Sequence, residues 1–83
     1  MGDERPVEKS ERLKKLVKLD EEARRIRRQM ADWDFIRSQP PRIRAALELY
    51  VETGDIRLAQ RISGLVLEDF IELTKKAGIP TGL

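Results

Sequence analysis

Cysteine and histidine are both absent from this 83-residue chain. Their absence excludes thiol nucleophiles, disulfides, thiolate or imidazole zinc sites and the histidine general base that most neutral-pH enzymes use. There is also no run of 18 apolar residues, and the charged start MGDERPVEKSERLKK has no apolar stretch behind it. Neither a membrane span nor a signal peptide is therefore expected, and the expected location is the cytoplasm. No strand-like run, internal repeat or low-complexity segment is present, and glycine and proline are missing from residues 10–37.

Charge is plentiful. The chain is 40% apolar and 39% charged, a balance that gives a thin single-domain core and makes a partner or second copy a natural aid to folding. Residues 1–44 hold 13 Lys+Arg against 9 Asp+Glu (net +4), and residues 45–83 hold 4 against 6 (net −2), which together give the overall +2. The basic first half points towards a polyanion or an acidic surface.

Residues 1–9 are polar, contain Gly2 and Pro6, show no period, and read as a disordered tail. From Ser10, a candidate N-cap, a long charged amphipathic helix is predicted over residues 10–37. Leu16, Leu19, Ala23, Ile26, Met30 and Trp33 recur along it at alternating spacings of 3 and 4, with Leu13 and Ile36 flanking the row. That heptad seam makes the six residues the candidate dimer or partner interface. Opposite charges four apart (Asp20 with Arg24, Glu21 with Arg25, Arg28 with Asp32) suggest a solvated face beside it.

Pro40 and Pro41 end this helix and open the next. Ile43, Ala46, Leu47, Tyr50 and Val51 then form an amphipathic stripe over residues 42–52, and Thr53 and Gly54 stop it. Asp55 is placed to cap a short helix over residues 56–63, Gly64 to end it, and a last helix over residues 67–77 stops at Gly78 and Pro80. Ala59 supplies the small residue where two helices touch, Gly64 the tight turn, and Leu65, Phe70 and Leu73 the apolar return. Residues 42–80 thus read as a compact three-helix, helix-turn-helix-like unit in an all-α chain.

The runs ALELY, GDIRLA, ISGL, LEDFIEL and GIP between Ala45 and Pro80 resemble the C-terminal half of small prokaryotic, largely archaeal proteins regarded as antitoxin-like helix-turn-helix regulators. The resemblance rests on Leu47, Tyr50, Ile56, Leu58, Ala59, Gly64, Phe70, Gly78 and Pro80. It implies a DNA-associated regulator of transcription, dimeric, with double-stranded DNA and a toxin nuclease as partners.

The residues themselves qualify where DNA would be held. The last helix opens with Glu68, Asp69 and Glu72, which repel phosphates, and its lysines Lys75 and Lys76 lie at the far end, an order that also suits the helix macrodipole. The basic candidates are Arg24, Arg25, Arg27 and Arg28 in RRIRR, Arg42 and Arg44 after the prolines, and Arg57 and Arg61 one turn apart. Such arginines would contact phosphates without reading bases. The alternative reading is a protein-protein interaction module, a helical dimer or adaptor with no nucleic-acid role. No catalytic residue, cofactor or metal is expected: Ser63 has no base beside it, and Asp32 and Asp34 point about 200° apart on a helix.

Overall fold

The computed structural model describes the backbone of residues 4–81 and the side chains of residues 12–81. Five helices follow one another: α1 (Glu4–Met30), α2 (Trp33–Ser38), α3 (Pro41–Thr53), α4 (Ile56–Ser63) and α5 (Leu67–Lys76). Among the described residues there is no strand, and no helix is long and apolar enough to cross a membrane. The all-α class and the order, a long N-terminal helix followed by shorter ones, are as expected, with α2 a further helix beside the three expected after the prolines.

The boundaries of the first helix differ from the sequence reading at both ends. Residues 1–3 of the expected tail lie outside the described residues, and the helix already runs from Glu4. Pro6 does not prevent this, because the first-turn N–H groups of a helix have no intrahelical acceptor to lose. At the other end α1 stops at Met30 rather than continuing to residue 37.

Asp32 causes the break. Its backbone is extended, and its carboxylate accepts a 3.0 Å hydrogen bond from the Phe35 N–H, which caps α2. The Asp32 N–H itself donates to the Ala77 carbonyl at 2.7 Å, and the Trp33 indole donates to the Arg28 carbonyl at 3.0 Å. Polar groups freed by breaking the helix are thereby paired, and Ile36 is turned inward to complete burial. Trp33 consequently leaves the heptad row predicted for it.

The core forms where α2, α3, α4 and α5 meet. Ile36, Leu47, Val51, Phe70 and Thr74 are its largest fully buried side chains, with Ala46, Ala59, Ala77, Ile79 and Tyr50 around them. Tyr50 stands edge-on to Phe70 at a centroid distance of 6.4 Å and donates its hydroxyl to the Pro80 carbonyl at 3.2 Å. Each large apolar side chain buried in this way contributes about 1.5–3 kcal/mol. The stripe read from the sequence of α3 is therefore its buried face, and Ala59 sits at the helix contact with no exposure.

The chain end closes the unit. The Ile79 N–H bonds to Thr74 O and the Gly78 N–H to Lys75 O, both at 3.0 Å, so α5 ends in a Schellman motif. Gly78 (φ 71°) also lies against the α1 end: a Cβ there would stand 2.8 Å from the Met30 carbonyl oxygen. Beyond this junction α1 projects. At 1.5 Å per residue its 27 residues span about 40 Å. The radius of gyration is 16.1 Å, whereas a compact chain of this length would have about 12 Å.

Gly78→Ala is expected to lower the unfolding free energy by about 2 kcal/mol or more, since it adds left-handed strain to a backbone collision. Urea denaturation measures this. A loss no greater than that of Gly54→Ala, where only the flexible Arg27 side chain stands in the way, would contradict the close approach.

Candidate functional site

Three of the four RRIRR arginines face the end of α3. At that end Gly54 is left-handed (φ 70°), and its N–H closes a single bond to Tyr50 O at 2.8 Å. The carbonyls of Val51 and Glu52 remain without a helical donor. Arg27 Nε supplies Val51 O and Arg24 Nε supplies Glu52 O, each at 2.9 Å. Arg28 grips the Glu52 carboxylate with two bonds, Nε to Oε1 at 2.9 Å and Nη2 to Oε2 at 2.6 Å. Three positive charges at a helix C-terminus also complement its dipole.

Arg27 packs its guanidinium over Gly54, with atoms 3.0–3.2 Å from where a Cβ would stand. Arg42 repeats the arrangement one connection later. Its Nε donates to Ile62 O at 2.7 Å, and its guanidinium lies 3.1–3.3 Å from the Cβ position of Gly64 at the end of α4. Four of the eight predicted phosphate-binding arginines thus have partners on helix ends.

The remaining four are arranged differently. Arg44 lies 3.7 Å from Glu48 on the same helix. Arg25, Arg57 and Arg61 are exposed, and no hydrogen bond or ion pair engages their side chains among the described residues. Arg57 and Arg61 share the solvent face of α4, opposite buried Ala59 and Ser63. Of the expected four-apart pairs, none forms among the described residues: Arg24 and Arg28 turn to α3, and Asp32 caps α2.

No family model, curated protein or solved structure matches this chain.

The turn between α4 and α5 is held by side chains. Gln60 Nε2 donates to Leu65 O at 2.6 Å, and Ser63 Oγ donates to Gln60 O at 2.6 Å while accepting from the Leu65 N–H at 3.0 Å. Ser63 therefore has a structural occupation. On α5, Glu68, Asp69 and Glu72 are exposed at the N-terminal end and Lys75 and Lys76 at the last turn.

The apolar row of α1 is the other candidate surface. Leu16, Leu19, Ile26 and Met30 are 57%, 60%, 50% and 59% exposed, and Ala23 is half-buried. Trp33, the sixth residue predicted for this row, stands on α2. Beside the row, Ala23, Ile26, Arg27, Tyr50, Gly54 and Pro80 line a groove of about 470 Å³.

Glu52 is the residue that the sequence reading missed. It directly follows Val51, the last residue of the apolar stripe, and has no basic residue three or four positions away, so only the fold brings Arg28 to it. The Arg28 hydrogen bonds hold the Glu52 carboxyl below its ordinary value of 4.5. Its stabilising contribution is complete above that value and is lost as the pH falls through the lowered one. Thermal denaturation across that acid range should show wild type losing stability more steeply than Glu52→Gln. Parallel acid limbs for the two proteins would refute the pairing.

Proposed function

We propose that this chain is a non-enzymatic, DNA-associated regulator of the antitoxin type, acting in the cytoplasm. The observation that carries the reading is the pairing of Arg57 and Arg61 on the exposed face of α4 within a helix-turn-helix arrangement. In such units the first helix crosses the nucleic-acid backbone, so arginines there contact phosphate rather than base edges. The acidic start of α5 argues against that helix reading bases. The resemblance of residues 45–80 to antitoxin-like regulators supports the same class and adds a toxin nuclease as protein partner.

In this reading the DNA-contacting set is narrower than the sequence suggested. Arg57 and Arg61 are its centre, Arg25 and Arg44 are secondary, and Arg24, Arg27, Arg28 and Arg42 serve the fold. The projecting half of α1 is the protein-binding part. A second reading, an interaction module with no nucleic-acid role, is favoured by those same structural arginines, since their guanidinium Nε donors are already committed to carbonyls or to Glu52.

Salt separates the two. Duplex DNA should bind the intact protein with affinity falling steeply as salt rises. Arg57→Ala with Arg61→Ala should reduce the slope of log affinity against log salt by about 1.8 per chain. Fluorescence anisotropy over a salt series measures both. No binding at low salt would overturn the DNA reading and leave the interaction module.

A further inference from the structure

We propose that α1 pairs with α1 of a second copy, parallel and in register, along Leu16, Leu19, Ala23, Ile26 and Met30. This inference rests on the reading of α1 as a protein-binding helix and names its partner as the same chain.

The fold leaves this row accessible. Arg24, Arg27 and Arg28 bond α1 to α3 and Ala31 is buried beside them, while Ala23 and Ile26 only edge the groove against Tyr50 and Pro80. At about 100° per residue, Arg24, Arg27, Arg28 and Ala31 centre roughly 110° around the helix from the apolar row. A second helix laid on the row therefore meets the flank of each helix-turn-helix unit, and the two units fall on opposite sides of the pair.

The sequence of the row selects the orientation. A parallel, in-register pair sets each of the five residues against its own copy, so every apolar side chain has an apolar partner. Antiparallel pairings cannot do this. Setting Leu16 on Ile26 and Leu19 on Ala23 leaves Met30 opposite Arg12 and brings Asp20 to Asp20 and Glu22 to Glu22. One heptad further along, Leu16 falls opposite position 33, where the chain has already turned into α2.

Charge agrees with the parallel form. With Leu16 at the first core position of a heptad, the flanking positions that face one another across a parallel pair are Lys15 with Asp20 and Glu22 with Arg27. Both are of opposite sign. The seam is short, about 21 Å from Leu16 to Met30, so the pair forms and dissociates with concentration.

The absence of native cysteine gives a clean test. Leu19→Cys should form an intermolecular disulfide under mild oxidation, because core positions of a parallel pair bring like residues within the Cα separation that a disulfide requires. Lys18→Cys, about 120° around α1 from the row, should not. Native mass spectrometry of the wild type should show a dimer. Asp20→Lys should weaken it several-fold, and adding Lys15→Asp should restore it. Both sites are exposed in the single chain, so helical circular dichroism should be unchanged in every variant. A dimer without the Leu19→Cys disulfide would overturn the parallel pairing, and a one-chain mass at all concentrations would overturn self-pairing altogether. Neither result touches the duplex measurement, which judges the DNA reading independently.

Discussion

The hydrogen bond from Arg27 Nε to the Val51 carbonyl is the constraint on which the arrangement depends. A left-handed glycine at the end of α3 satisfies one terminal carbonyl and leaves the next two exposed to a donor from elsewhere. Arg27 and Arg24 provide those donors, and Arg28 adds the carboxylate of Glu52. A hydrogen bond to a charged group is worth about 1.5–3 kcal/mol, and the exposed members of this cluster lie below that because water screens them. Together they fasten a long charged helix to the end of α3. Arg42 solves the same problem for α4.

This use of arginine divides α1 in two. From Arg24 onward three of its four arginines, Arg24, Arg27 and Arg28, belong to the fold, and Ala31 and the Asp32 N–H complete the junction with α5. Before that point the helix projects with an apolar row on one flank and mixed charge elsewhere. The surfaces proposed for function are therefore displaced from where the charge is densest. In the proposed function, phosphate contact falls to α4, whose Arg57 and Arg61 have no bonded partner among the described residues, and protein contact to the projecting half of α1.

Much of the fold was legible because local signals agreed with tertiary need. Asp55 was readable as a cap, the α3 stripe as a buried face, and Gly64 and Gly78 as helix ends. The break at Ala31–Asp32 was not readable from periodicity, since Trp33 and Ile36 continue the spacing of the row. Only the capping power of Asp32 distinguishes a broken helix from a continuous one, and the Ala77 carbonyl that receives its N–H is 45 positions away. The arginines show the same limit more sharply. Sequence identifies RRIRR as basic, but whether a guanidinium faces water or a helix end depends on where α3 stops. Four-apart acids looked like its partners, whereas Arg24 and Arg27 turn to distant carbonyls and Arg28 to the Glu52 carboxylate.

The central claim, that these arginines are structural clamps and not a free basic patch, is tested most directly by the exchange of their Nε–H protons with water, read by heteronuclear NMR. Slowed exchange and dispersed signals are expected for Arg24, Arg27, Arg28 and Arg42, with Arg25, Arg57 and Arg61 exchanging as freely as model guanidinium groups. Uniformly fast exchange across all seven would contradict it.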